Sequence, residues 1–488
     1  MSGQHGVTAR RLTGMHSAAA ALAALEELAA TPAVAELAAA FQAAGRELAL
    51  VGGPVRDAFL GREVHDLDFT TDAHPDDIIA IIEPIATAHW DMGRDFGTIG
   101  AQIRGEKVEI TTYRADTYDG KTRKPEVVFG TSLDDDLLRR DFTVNALAVR
   151  LPQLVLVDPT GGIDDLVAKK LRAPAAATQS FDDDPLRMMR AARFVSQLGF
   201  DLDEEAEWAM HDRADSIEKI SAERVNEELC KLLATDDPVP GIRIFVTTGL
   251  ADRVLPELSA LRLEVDEHHH HKDVYEHSLT VLAQAIELEK SRHPGQPADL
   301  TLRLAALLHD IGKPPTRKLE AGGAVSFYHH DVVGAKLATK RLKALRFDKE
   351  STTDVARLIE LHLRFFGYSE GAWTDAAVRR YVRDAGDQLD RLHILTRADV
   401  TTRNKRKAER LAHAYDDIER RIGELASAEE LAAIRPDLDG EQIMAILDLT
   451  PGREVGQAYE FLMGLRLDEG PLGEDEATRR LQAWWADR

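Results

Sequence analysis

An α+β chain, with a small mixed head ahead of a long all-α body, is the fold class this sequence predicts. Three observations carry it. Between residues 47 and 150 short apolar runs alternate with polar residues, as half-buried strands require. From about residue 182 the spacing turns helical and stays so, broken at Pro and Gly clusters near 237–241, 294–297, 312–315 and 435–440. The chain has 488 residues, too many for one core, so a few domains are expected.

The elements follow in order. "ELALV" (47–51) reads as a strand, "PVRDAFLG" (54–61) as a short helix closed by Gly61, and "HDLDFTT" (65–71) as a second strand. "TIGAQIRG" (98–105) and "KVEITTYR" (107–114) alternate like a hairpin, and "TVNALAV" (143–149) begins the next element. "LVDPTGGIDDLVAKKLR" (156–172) supplies a turn and a helix. The division expected is an Ala-rich helical extension (1–45), the head (46–175), a helical neck (176–262), a second helical domain (263–410) and a helical tail (411–488).

Apolar residues make up 44% of the chain and charged ones 30%, which fits a soluble globular protein. The formal charge of −23 argues against a broad, nonspecific nucleic-acid binder but leaves room for local basic strips such as 119–125, 137–141, 187–194 and 401–410. One cysteine, Cys230, rules out an intramolecular disulfide and suits a reducing cytoplasm. The N-terminus loosely resembles a twin-arginine export signal, but its alanine run is short and Glu26 and Glu27 interrupt it. Residues 16–30 read as a surface helix or a poorly ordered leader, and no stretch approaches a membrane span. No stable protein partner is predicted.

The stretch "LALVGGPVRDAFLGREVHDLDFTT" (48–71) carries the chemistry. Residues i and i+2 of a strand face one side, so Asp66 and Asp68 project together while Leu67 and Phe69 face a core. Two carboxylates so placed can hold two Mg²⁺ about 3.5–4 Å apart, activating a hydroxyl and neutralising a triphosphate. Gly52 and Gly53 lie at a strand-to-helix turn, where backbone can approach phosphate oxygens, and Arg56 in the first helical turn adds a phosphate contact. Glu109 leaves the apolar face set by Val108 and Ile110 and is a third carboxylate. Glycine turn, arginine, strand-borne pair and later glutamate together are the signature of a polymerase-β-like nucleotidyltransferase head.

With "DLLRRDFTVNALA" (136–148), "DPTGG" (158–162), "DDDPLRMMRAARF" (182–194) and "SAERVNEEL" (221–229) in the same order, residues 46–260 resemble the bacterial class of CCA-adding tRNA nucleotidyltransferases and their poly(A) polymerase relatives. The resemblance implies that Asp66 and Asp68 bind metal and that Gly53, Arg56 and Arg140 contact the nucleotide. It also implies ATP, CTP and the tRNA 3′ end as partners, and an attack of the tRNA 3′-hydroxyl on the α-phosphate. Glu109 is then a third ligand or helps to deprotonate that hydroxyl.

In "DDDPLRMMRAARF", Asp184 and Pro185 look like a helix cap and first turn, and Arg187, Arg190 and Arg193 recur every three residues. Residues alone allow a capped helix with an i,i+3 ion pair. The resemblance makes Asp184 and Arg187 a protein template. A carboxylate accepts from the exocyclic amine of C or A while a guanidinium donates to the ring nitrogen; G and U present the reverse order on that edge. Arg190 and Arg193 reach the triphosphate or orient the pair. Asp183 stands where the family commonly has Glu. The resemblance also implies that a loop within 113–130 helps the site switch from C to A addition, which favours full CCA synthesis over A-only addition.

The second half carries His277, "LLHDIGKP" with His309 and Asp310, "FYHHDVVGAKLA" with His330, "LIELHLRFFG" with His362, and "TRADVTT" with Asp399. An adjacent His–Asp at the end of an apolar helix resembles the HD metal-dependent phosphohydrolase fold. His277, His309, Asp310 and Asp399 would form one divalent metal site, and His330 and His362 would complete a second. In the tail, Gly452 and Gly456 either let backbone approach RNA or are ordinary loop glycines. The rivals are a poly(A) polymerase, which the acidic tail disfavours, an HD phosphohydrolase with a nucleotidyltransferase head, and a non-enzymatic RNA scaffold.

Overall fold

The structure is a computed structural model and describes residues 17–64, 66–114, 129–263, 273–320, 325–365, 367–368, 373–402, 404–429 and 434–488. It divides into two units, one of residues 1–232 with 240–254 and one of 233–239 with 255–488.

In the first unit, helices α1 (Ala18–Ala29) and α2 (Pro32–Ala43) precede strand β1 (Leu48–Val51). Then come α3 (Gly53–Leu60), β2 (Leu67–Thr71), α4 (Pro75–Ile82), β3 (Ala88–Trp90), β4 (Thr98–Ile103) and β5 (Glu106–Thr112). They are followed by α5 (Leu133–Leu138), β6 (Ala148–Leu151) and β7 (Val155–Val157). One seven-stranded sheet runs β3-β4-β5-β2-β1-β6-β7. Only β2 and β5 run parallel, with Asp68 opposite Glu109. All of β1 is buried, as a continuous apolar run demands in a strand covered on both faces. Val51, Tyr113, Leu133, Leu137 and Ala148 pack in one cluster of this core.

The N-terminal helices decide between two expectations. Residues 18–29 form the surface-helix alternative, with Ala21 and Leu25 buried on one face, and α2 buries Leu37 and Phe41. The alanine-rich sequence hides a narrow apolar stripe, because alanine contributes little hydrophobic contrast. Among the described residues no single helix is long and apolar enough to cross a membrane. The helical run after 182 is also less pure than expected: Asp201–Leu202 pairs parallel with Lys170–Leu171, and Lys318–Leu319 pairs with Val325–Ser326.

After α6 (Gly162–Ala168), α7 (Ala177–Asp183) leads through Pro185 into α8 (Leu186–Phe194). The second unit is helical, with long members at Val274–Arg292, Leu300–Leu308, His330–Ala344, Lys349–Leu361 and Leu389–Ala398. Its tail has a separate core of Leu438, Ile443, Leu462 and Leu481, and Gly456 lies inside the helix Arg453–Glu469 rather than in a loop.

Candidate active site and a candidate metal centre

Asp66 stands exposed just before β2, and Leu67 and Phe69 are buried on either side of Asp68, as alternation requires. Glu109 is exposed between buried Val108 and Ile110 on the neighbouring strand. Burial pushes the Asp68 carboxyl up to about 6, with Glu109 and Asp66 adding to the rise and Arg140 opposing it. Three carboxylates thus crowd one ledge with only partial cationic relief, which is the charge a divalent ion would neutralise.

The glycine turn sits beside this ledge. Gly52 has φ +74°, closed to most side chains, and a Cβ there would lie 3.2 Å from the Arg140 guanidinium. Arg140 is anchored by the fully buried Asp136 (3.4 Å), which also pairs with Arg139 at 2.6 Å. Arg56 is more enclosed than its expected phosphate contact suggests. It is 5% exposed and donates to Asn145 Oδ1 at 2.7 Å and Asp57 Oδ1 at 2.8 Å. Gly53 opens the same helix, α3.

The neck arginines are held by carboxylates. Arg190 donates to Asp141 at 2.7 Å, and Arg193 pairs with the buried Glu228 at 2.8 Å. The guanidinium groups of Arg56, Arg190 and Arg193 all lie over the Phe194 ring, at 5.5, 5.6 and 4.2 Å from its centroid. Asp141 also accepts from Asn145 at 3.0 Å, so one polar chain joins Arg56, Asn145, Asp141 and Arg190. The i,i+3 pair between Asp184 and Arg187 is not formed. Asp184 accepts from Leu186 N at 3.1 Å and pairs with Arg224 at 3.2 Å. Arg187 donates to Ser180 Oγ (2.8 Å) and to the Arg139 carbonyl (2.6 Å), which brings it next to Arg140. Most of the loop expected to govern C-to-A switching, 115–128, lies outside the described residues.

In the second unit every predicted ligand sits at a helix end. His277 is in the first turn of Val274–Arg292, and His309 and Asp310 follow Leu300–Leu308. His330 opens His330–Ala344, and His362 and Asp399 cap their helices. Gly312 lets these turns meet, since a Cβ there would fall 2.0 Å from the His330 carbonyl. Three rings are set by one device: Nδ1 of His309, His330 and His362 contacts the carbonyl three residues back, at 2.9, 2.8 and 2.6 Å. Read as Nδ1–H donors, they aim their Nε2 atoms inward. His362 Nε2 is buried with no hydrogen-bond partner, and His277 and His309 set their Nε2 atoms 3.3 Å apart.

Potential ligand atoms lie within 4.8 Å of one another in two groups, His277–His309–Asp399 and Asp310–His330–His362. Asp310, expected with His277, His309 and Asp399, keeps its Oδ2 3.6 Å from His277 Nε2 but also reaches the second group. Its Oδ2 is 3.2 Å from His309 Nε2 and its Oδ1 is 3.4 Å from His330 Nε2, so it stands on the border of both. Burial opposes ionisation, yet Asp310 and Asp399 override it and push His309 up to about 10. Burial, aided by His309, pulls His362 down to about 4. A neutral His362, the ionised Asp310 and Asp399, the orphaned Nε2 atoms of His330 and His362, and a His309 proton that a cation would displace fit a divalent metal.

Sequence reading passed over Asp136, Asp141, Asn145 and Glu228, although all four lie inside quoted motifs. Their partners are separated by up to 89 positions along the chain, as between Arg56 and Asn145, so no local spacing reveals them.

Comparison with known proteins covers both the head and the histidine-bearing half. The Poly A polymerase head domain family matches residues 48–172, the HD domain family matches 274–404, and the family described as "Probable RNA and SrmB- binding site of polymerase A" matches 199–261. An A-adding tRNA nucleotidyltransferase of Deinococcus radiodurans is 35% identical over 449 residues, covering 90% of this chain and 95% of that protein. A CCA-adding enzyme of Latilactobacillus sakei is 43% identical over 219 residues, which is 45% of this chain and 54% of that one. The fold is shared with the Bacillus stearothermophilus CCA-adding enzyme in complex with CTP (TM-score 0.65, 23% identity, 94% of this chain and 99% of that chain). It is also shared with the Thermotoga maritima CCA-adding enzyme complexed with tRNA_CCA (TM-score 0.59, 18% identity, 97% and 100%). A head with its carboxylates and glycine turn, a matching neck, an HD domain and a relative aligned over nearly its whole length place this chain in the family of bacterial CCA- and A-adding tRNA nucleotidyltransferases and their poly(A) polymerase relatives.

Proposed function

We propose that this protein builds or repairs the 3′-terminal CCA of tRNA from CTP and ATP in the cytoplasm, releasing pyrophosphate. The observation that carries the reading is the ledge of Asp66, Asp68 and Glu109 beside the Gly52 turn and Arg140. On this reading the Gly52–Gly53 backbone, Arg56 and Arg140 hold the triphosphate, and Asp66 and Asp68 hold two Mg²⁺. Bound there, the ions supply charge neutralisation at the α-phosphate. Glu109 serves as a third ligand or receives the proton of the attacking hydroxyl. The catalytic head is 46–175, the neck 176–262, the HD domain 263–410 and the tail 411–488.

A tRNA transcript lacking CCA, incubated with CTP and ATP, should gain three residues and stop. A long A tract would instead identify a poly(A) polymerase. Extension only of a transcript already ending in CC would identify an A-adding enzyme, the reading favoured by the name of the Deinococcus relative.

Asp184 and Arg187 read the base, and Arg190 and Arg193, held by Asp141 and Glu228, orient them. Arg187→Ala or Asp184→Ala should lower the preference for C and A over G and U by roughly 10- to 100-fold, since a mispaired buried group costs about 1–3 kcal/mol. The ratio of kcat/KM for the four nucleotides measures it, and an intact preference would leave only a capped helix.

The histidine groups favour a second assignment, a divalent metal site with phosphohydrolase activity in the HD domain. His362→Ala is expected to bind one Mn²⁺ fewer per chain in equilibrium dialysis than the parent protein.

A further inference from the structure

The stretch "VVGAKLATKRLKALRF" (332–347) contains five basic residues and no acidic one, in a chain of net charge −23. It forms most of the helix His330–Ala344, which packs against Lys349–Leu361. A groove of about 390 Å³ runs between them, lined by Lys336 and Lys343 on one wall and Lys349 on the other, over Thr339, Thr352 and Ala356. Ion pairs are common elsewhere in the protein, and even here Arg341 engages Glu257 and Arg357 engages Glu360. Among the described residues Lys336, Lys343 and Lys349 are exposed and make no ion pair. Three unneutralised ammonium groups around one furrow repel one another, an arrangement that an anionic partner relieves.

We propose that this groove between helices His330–Ala344 and Lys349–Leu361 is an accessory RNA-binding surface that grips the phosphodiester backbone of the substrate RNA. Three features select that partner. Lys336 and Lys343 are seven residues apart, about 10 Å along the helix, longer than one phosphate. Lysine is a mobile point charge suited to following a backbone without reading sequence, unlike the bidentate arginine fork. The lysines are exposed along an open furrow, whereas a small-molecule site encloses its ligand. Small side chains on the floor leave room for a strand to settle between the walls. The proposal rests on the tRNA reading of the head and deepens it, placing part of the RNA affinity on a surface outside that head.

The test compares full-length protein with a variant carrying Lys336→Gln, Lys343→Gln and Lys349→Gln, binding a tRNA transcript across a KCl series. Each neutralised phosphate contributes about 0.7–0.9 to the slope of log K against log salt, so the variant's slope should be shallower by about 2. A Lys→Arg variant at the same three positions should restore it. Parallel plots for wild type and the glutamine variant would overturn the proposal. So would displacement of the lysine-dependent binding by inorganic pyrophosphate at constant ionic strength, which assigns the groove to a small anion. If wild-type protein extends no tRNA, the head reading fails; if it extends tRNA while the slopes coincide, only the groove proposal falls.

Discussion

Exchange of Asp68 for asparagine is expected to cut nucleotide incorporation by at least about 10³-fold, on the order of 4 kcal/mol of transition-state stabilisation. Asparagine keeps the shape of the side chain but removes its charge, so the loss isolates metal binding from packing. RNA binding should survive, because Asp68 lies on the acidic ledge and donates to no anion. The same residue predicts a pH signature. The folded protein holds the Asp68 proton more tightly than the unfolded chain, since its carboxyl is raised to about 6 from the usual range near 4. Stability from the protonated form is therefore present at low pH and lost as pH rises through about 6. A divalent cation requires the carboxylate, so its affinity should climb between pH 5 and 7. Melting temperature with and without Mg²⁺ across that window reads this without any turnover. A Mg²⁺-induced rise that is flat with pH, or unchanged in Asp68→Asn, would remove Asp68 from the metal site.

The second large effect concerns Asp141. Its carboxylate is buried and, against the cost of that burial, held well below the usual range by Arg190 and Asn145, with Arg187 adding to the shift. Asp141→Ala leaves the half-buried Arg190 guanidinium without its partner and removes one Asn145 bond. Breaking a fully buried pair costs about 3–5 kcal/mol. The Arg190 side chain keeps 35% of its surface in water, so the expected loss is about 2 kcal/mol, equivalent to roughly 5 °C in Tm for a unit of this size. The double exchange Asp141→Leu with Arg190→Met should recover much of that loss, because it removes both charges together. Equal destabilisation of the single and double variants would mean that shape rather than charge governs the position.

Which parts of this molecule were legible in its sequence follows from how far apart the interacting groups lie. Asp66, Leu67, Asp68 and Phe69 sort themselves by strand alternation, and Glu109 does the same on its own strand, so the carboxylate ledge needed no tertiary knowledge. The His309–Asp310 pair at the end of an apolar helix was equally local. The Asp136–Arg140 anchor lies within one helical turn, yet nothing in "DLLRRD" says that this aspartate is fully buried. Arg193–Glu228 and Arg56–Asn145 depend on how α8 and α3 meet distant segments, which periodicity does not encode. The N-terminal segment was left between a surface helix and a leader because alanine serves core and surface alike. The double position of Asp310 was hidden for another reason: a carboxylate has two oxygens, and spacing cannot say that they face different neighbours.

The carbonyl three residues behind each of His309, His330 and His362 has a consequence for the order of events. Because the main chain of each histidine's own turn fixes its ring, the nitrogens face inward before any ion arrives. A cation binding as proposed would then need to shed water and displace the proton that Asp310 and Asp399 hold on His309, without a slow rearrangement of the scaffold.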